Sequence, residues 1–288
     1  MRKKSSKRAY LSRSEKRVTQ KSRKLRVPPA STSAVAWTGL ARARKVNKKE
    51  IRLPSPRQIR PFILTCDKRL DSFEKFVISY EKIASSMLEP VLIIDDRNEE
   101  TRERYHELLL RLKPFATIAQ PRYKENDFDN LQYFMIKDFP LWALHFTDED
   151  ILFMEDDIAI SSGFPAVIKK ASQYIQGSAD FITFYGASKY SVIEDHPSYN
   201  FMTPFSGNDY YGNLCILFNR RVIKDFDTNW KVLNKMDVGP WDLKWGCYME
   251  KRGYKLYQTR CHYANHLVGK SAISGKFKEE YDGKHFKE

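Results

Sequence analysis

The 288-residue chain has no uninterrupted apolar stretch of the roughly 18 residues a bilayer crossing needs, so a transmembrane segment is not expected. Residues 1–26 are polar throughout. They lack the apolar segment that follows the basic start of a secretory signal, so the sequence reads as cytoplasmic. Cysteine is scarce: Cys66, Cys215, Cys247 and Cys261 lie far apart, and no C-x-x-C pair occurs. That pattern argues against a zinc site and for reduced thiols. No internal repeat is present. Acidic residues are nearly missing from the first 60 positions, where Glu15 and Glu50 face 20 Lys and Arg, a net +18. The remaining 228 residues hold 30 Lys and Arg against 34 Asp and Glu, a net −4. The positive charge therefore belongs to the N-terminal segment and not to the body.

Hydrophobic residues make up 42% of the chain and charged residues 30%, enough for a folded core and too apolar for wholesale disorder. Residues 1–49 read as a basic flexible leader, with Pro28-Pro29 and a Ser/Thr/Ala stretch inside it. Residues 50–60 read as a linker, 61–275 as one enzyme-sized domain and 276–288 as a polar tail. From Pro61 on, apolar runs alternate with amphipathic stretches. Pro61–Cys66, Val91–Asp95, Phe115–Ala119 and Ile151–Met154 are predicted as buried strands of one mainly parallel sheet. Helical spacing is predicted over 71–86, over a segment capped by Asn98, and from Asp129 with an interruption near Pro140. A further helix is predicted from Trp241, with Pro240 at its start and Gly253 stopping it. The fold class implied is α/β, a mainly parallel, mixed sheet flanked by helices. Ligands of such sheets bind beyond the carboxyl ends of the strands.

Four groups of residues at those ends could carry chemistry. Glu155-Asp156-Asp157 puts three carboxylates in a row; mutual repulsion there calls for a shared cation or for N–H donors. A turn or helix cap is the plain alternative, and Mg²⁺ or Mn²⁺ the functional one. Asp95 ends its own strand. Asp242 sits in the first turn of a helix, where an acid complements the helix dipole and could also serve as a general base. His262 and His266 are spaced i, i+4 in a strand-and-loop context, which speaks against a paired zinc helix and leaves a single histidine to meet Asp157.

The order of these pieces is more informative than any one of them. Thr65-Cys66-Asp67-Lys68-Arg69 comes first, then Val91 to Asp95, Asn98-Glu99-Glu100-Thr101, Leu141-Trp142-Ala143-Leu144, and Ile151 to Asp157. This order resembles metal-dependent nucleotide-sugar glycosyltransferases of the GT-A fold and, among them, the inverting N-acetylglucosaminyltransferase I group. The likeness runs from Pro61 to Ser271 and is strongest up to Ile160. It implies a GT-A-like domain, a nucleotide-sugar donor such as a UDP-sugar, and Mn²⁺ or Mg²⁺. It further implies that Asp157 contacts the metal, with Glu155 and Asp156 toward ribose and sugar, and that Asp95 contacts the uracil ring. Thr65, Asp67, Lys68 and Arg69 fall in the nucleotide-binding turn, where the family often has Arg in place of Lys68. Gly207 and Gly212 bracket a loop along the donor. Asp242 matches the catalytic base, with Asp209 and Asp237 as alternates, and His266 matches a C-terminal metal ligand, with His262 competing.

Members of that group are usually anchored in a membrane, whereas this sequence shows a +18 leader instead. Such a leader binds polyanions by counterion release or an anionic membrane surface by charge. Two acceptors follow: DNA carrying a hydroxymethylated base, held through residues 1–49, or a lipid-linked or surface glycan. A non-enzymatic nucleic-acid-binding role is the remaining reading; a scaffold of that kind gains nothing from carboxylates at strand ends.

Overall fold

The first strand, β1 (Ile59–Cys66), shows how the body is built: it is apolar over nearly its whole length and buried apart from Arg60 and Cys66. A strand of that kind belongs in the middle of a sheet covered on both faces. In the computed structural model, which describes residues 58–121, 123, 126–175, 177, 179–185, 202–210, 214–259, 261–267, 269–270 and 277–278, it does so. The leader 1–49, Gly212 and the tail beyond residue 278 lie outside the described residues.

β1 pairs in parallel with β2 (Val91–Asp95) on one side and with β4 (Asp150–Glu155) on the other. β3 (Ala116–Ala119) adds in parallel to β2. The four strands expected in one parallel sheet are thus neighbours, with Phe115 just outside β3 and under the Arg60 guanidinium at 4.4 Å. Beyond β4 the sheet becomes mixed: β8 (Cys215–Phe218) is antiparallel to β4, and β6 (Phe181–Thr183) is antiparallel to β8. β9 (Leu256–Thr259) is parallel to β6, and β7 (Met202–Pro204) closes the row antiparallel to β9. The eight strands run in the order β3-β2-β1-β4-β8-β6-β9-β7.

Helices cover both faces. On one, α1 (Leu70–Glu81), α2 (Arg102–Arg111) and α5 (Phe164–Ile175) pack Phe73, Phe76, Tyr105 and Phe164 against Leu92, Leu152 and Ile182. On the other, α3 (Asp127–Tyr133), α4 (Phe139–Phe146), α6 (Arg220–Asn234) and α7 (Trp241–Lys251) enclose Phe62, Phe153, Phe218 and Trp245. No helix among the described residues is long and apolar enough to cross a membrane.

Three local expectations shift. The 71–86 helix ends at Glu81, and a separate 3₁₀ turn covers Ala84–Ser86. α2 begins at Arg102 and not at Asn98, because the Asn98 side chain accepts from Glu100 N at 3.1 Å and closes a turn ahead of the helix. The segment before Pro140 does not break: Phe134–Asp138 is π-helical and runs into α4, whose first turn tolerates a residue without N–H.

A second, smaller sheet matters for the site. β5 (Ile158–Ile160) directly follows the acidic triplet and pairs antiparallel with β10 (Ala264–His266), placing His266 opposite Ile158. β11 (Gly269–Lys270) and β12 (Phe277–Lys278) form a separate pair.

Candidate active site

Because β1, β2 and β4 are parallel, their carboxyl ends open at one edge. Cys66 lies beside Asp95, and Leu64 beside Glu155. Asp67, 1% exposed, ties two of the strand-end turns together. Its N–H donates to Asp95 O at 3.0 Å, its Oδ2 accepts from Asn98 N, and its carbonyl accepts from Thr101 Oγ1 at 3.1 Å. Its Oδ1 is buried with no hydrogen-bond partner among the described residues. The Asp95 carboxylate takes both of its oxygens to the Arg97 guanidinium, a partner the sequence reading did not single out. Thr65 is buried in β1 and Lys68 is exposed beside it.

The acidic triplet is held by β1, by Arg69 and by β10. Asp156 is fully buried; its Oδ2 accepts from Cys66 N at 3.0 Å and its Oδ1 from Arg69. Asp157 Oδ2 accepts from the other arm of Arg69 and lies 3.1 Å from His266 Nε2. Leu267 N donates to the Asp157 carbonyl at 2.7 Å, locking β10 to the end of β4. His262, the competing histidine, is buried with its ring 5.8 Å from that of Tyr185. The geometry therefore brings His266 to Asp157.

Electrostatics follow from this crowding. Burial raises the Asp156 carboxyl above its ordinary range; the Arg69 charge opposes the rise and that of Asp157 adds to it. Burial works against the Arg69 charge, but Asp156 and Asp157 outweigh it and hold the guanidinium well above its ordinary value. Burial, with Asp156 second, pushes the Cys66 thiol up to about 11, so it is a neutral wall of the site and not a nucleophile.

An expected outcome follows for Arg69→Gln. Removing one partner of a buried pair costs about 3–5 kcal/mol, so the melting temperature drops by many degrees. The folded Asp156 carboxyl already sits above its unfolded value of 3.8, so its contribution favours folding below that pH and is lost as pH rises. Without Arg69 the loss deepens, and the variant's deficit, followed by thermal melts across pH, is smaller in acid than at neutrality.

Asp242 reaches the same edge by another route. β8 runs antiparallel to β4, so α6 starts at the far edge, returns to this one, and delivers α7 with Asp242 in its first turn. Asp242 is 8% exposed, and its Oδ1 accepts from Leu243 N at 2.9 Å. Tyr210, buried against α7, has its hydroxyl pushed far above the ordinary range by burial and then by the charges of Asp242 and Glu155. The charges of both Asp242 and Glu155 thus reach this phenol, a residue the sequence did not single out.

The loop bearing Tyr210 is clamped to α7. Glu250 accepts from Asn208 N at 3.1 Å, Asn208 Nδ2 at 2.9 Å and Ser206 Oγ at 3.0 Å. Gly207 and Gly246 touch backbone to backbone, so a methyl on either overlaps the other's carbonyl. Gly246→Ala also brings its new carbon to 2.8 Å from Tyr210 Cβ. It is expected to cost about 1–3 kcal/mol, read as a lowered midpoint in urea with unchanged slope.

The donor set fits a divalent cation bound together with a substrate phosphate. Among the described residues no three His, Cys, Asp or Glu side chains form a ready-made cage. One carboxylate and one imidazole, Asp157 and His266, do converge. Cations of the Mg²⁺ type often take one or two protein ligands and complete their shell with water and phosphate oxygens.

No family model and no curated protein matches the sequence. Solved structures do. A mannosyltransferase from Pyrobaculum calidifontis, determined with GDP-Man and Mn²⁺, superimposes with a TM-score of 0.51 at 10% identity, over 76% of this chain and 59% of that one. TarS residues 1–349 from S. aureus gives 0.45 at 12% identity, over 73% and 60%. A glycosyltransferase involved in glycosylation of the major capsid of PBCV-1 gives 0.36 at 12%, over 65% and 72%. The chain thus spans about three fifths of the mannosyltransferase's length. The first likeness shows that the chain shares the fold of that mannosyltransferase; the narrower resemblance to the N-acetylglucosaminyltransferase I group rests on sequence motifs alone.

Proposed function

We propose that the chain transfers a sugar from a nucleotide-sugar donor, a UDP-sugar, to an acceptor hydroxyl with inversion. The observation that carries this reading is the meeting of Asp157, Asp156, Arg69 and His266 at the strand edge that also holds Asp67 and Asp95. Asp157 and His266 would hold Mn²⁺ or Mg²⁺, which when bound offsets the charge that builds on the departing diphosphate. Arg69 supplies a fixed cation beside the same carboxylates. Asp95 and the unpartnered Asp67 Oδ1 offer acceptors to a nucleobase and ribose, with Thr65 and Lys68 on the same turn. Gly207 would flank the donor, and Glu155 would face its sugar. Asp242 takes the proton of the attacking hydroxyl. A thermal-shift series of UDP- and GDP-sugars with and without Mn²⁺ tests the reading: a rise in melting temperature with sugar and cation together supports it, and no rise with any of them removes it.

A second reading, a DNA acceptor carrying a hydroxymethylated base, draws on the +18 leader. If residues 1–49 neutralise about six phosphates, log affinity for duplex DNA falls against log salt with a slope near −5. Deleting residues 1–49 is expected to flatten that slope while cation-dependent donor hydrolysis continues; filter binding across a salt series reads the first and nucleotide release the second.

A further inference from the structure

Asp157 Oδ2 is addressed from two sides. One arm of the Arg69 guanidinium donates to it, and His266 Nε2 lies 3.1 Å away. Two adjacent ligands on an octahedral cation with bonds of about 2.1 Å stand about 3 Å apart, so the Asp157–His266 spacing suits a cation as well as a hydrogen bond. A cation there and an Arg69 arm on the same oxygen would put two positive charges on one acceptor. In a partly buried site their repulsion is strong. Arg69 and the cation are therefore alternative partners of Asp157.

The two arms of Arg69 are not equivalent. The other arm donates to Asp156, which is fully buried and whose second oxygen accepts from Cys66 N at 3.0 Å. A carboxylate buried that deeply needs the pairing, so this arm stays. The Asp157 arm shares its acceptor with His266. Arg69 Nε is buried with no hydrogen-bond partner among the described residues, so the guanidinium is satisfied at its two arms and not along its whole fork. The Arg69 carbonyl accepts from Phe73 N at 2.9 Å, which anchors the backbone ahead of α1. A change of partner thus falls to the side chain, which is 15% exposed.

Arg69 follows Asp67 in the same turn, and Asp67 N donates to Asp95 O, so the guanidinium lies at the edge proposed for the nucleotide. The planar fork of a guanidinium matches phosphate oxygens as it matches a carboxylate. We propose that Arg69 yields Asp157 to the divalent cation and turns that arm to the diphosphate of the nucleotide, keeping the other arm on Asp156. Arg69 then opposes the cation alone and grips the leaving group once nucleotide and cation are both bound. This assignment rests on the cation-dependent transferase reading and names the regulation of that same site.

Two titrations of the full chain test the exchange in the parent, Arg69→Gln and Arg69→Lys forms: Mn²⁺ uptake followed by the electron spin resonance of the free ion, and UDP and GDP binding at saturating Mn²⁺ followed by calorimetry. Without nucleotide, Arg69→Gln is expected to bind Mn²⁺ about tenfold more tightly than the parent, within the usual range of coupling between two ligands. Mn²⁺ should accordingly raise its melting temperature by more. With Mn²⁺ present, the same variant should bind nucleoside diphosphate about tenfold more weakly, the scale of one charge-assisted hydrogen bond. Arg69→Lys keeps the charge but not the fork; it should shift both affinities in the same directions by less, and it reads the exchange even if the glutamine form is too unstable to hold. A residue that merely fixed the carboxylates would weaken both affinities when removed. Mn²⁺ affinity that falls or stays level in the variants therefore overturns the exchange, and an unchanged nucleoside diphosphate affinity overturns the turn toward the diphosphate. The underlying reading fails in a different way: no Mn²⁺ uptake by the parent with either nucleotide, and no difference from Asp157→Ala, removes the cation site and the exchange with it.

Discussion

Asp157→Ala is expected to abolish cation-dependent donor binding and to lower sugar transfer by about a thousandfold or more, since the charge stabilisation it anchors is worth several kcal/mol. Asp157 Oδ2 is the atom that both Arg69 and His266 address, so no neighbouring oxygen stands in the same place. The alanine form loses one of the two carboxylates on Arg69 but keeps Asp156, so the buried guanidinium stays paired and the fold survives. Calorimetric titration of Mn²⁺ with a nucleotide sugar reads the loss directly. Retention of cation-dependent binding by this variant would move the metal ligand elsewhere.

Asp242→Asn is expected to act on chemistry and not on the donor. The amide keeps the shape of the side chain and the oxygen that accepts from Leu243 N, but it has no basic oxygen to take a proton. General bases contribute about 10²–10⁴-fold, so kcat for transfer should fall by that factor while the melting shift with donor and Mn²⁺ persists. Equal loss of donor binding would show that Asp242 shapes the donor pocket, and near-normal turnover would pass the base role to Asp237 or Asp209.

How much of this was legible in the sequence depended on the range of the interaction. The runs that became β1, β2, β3 and β4 are apolar and bounded by acids or turns, so both the strands and the edge where their acids gather could be read directly. That one histidine meets Asp157 could be reached from the residues, but its being His266 came only by resemblance, because the approach spans 109 residues and depends on pairing two three-residue strands, β5 and β10, too short to leave a periodic signal. Arg97 on Asp95 is a side-chain choice two residues away, with nothing in the pattern to favour it over solvent. Gly207 and Gly246 make sense only as two backbones in contact, and Tyr210 only as a buried phenol that feels the charges of two acids. The stretch before Pro140 read as an interruption because proline breaks a helix interior, whereas here it falls in the first turn of α4, where its missing N–H costs nothing.

The central claim is that the carboxylate edge binds a nucleotide sugar through a divalent cation and primes its diphosphate to leave. Release of nucleoside diphosphate from nucleotide sugars by the purified full chain tests it most directly. Slow release that needs Mn²⁺, is lost on chelation and is lost in Asp157→Ala is the predicted result. Absence of release with every donor, or release that is indifferent to both the cation and Asp157, would contradict the account.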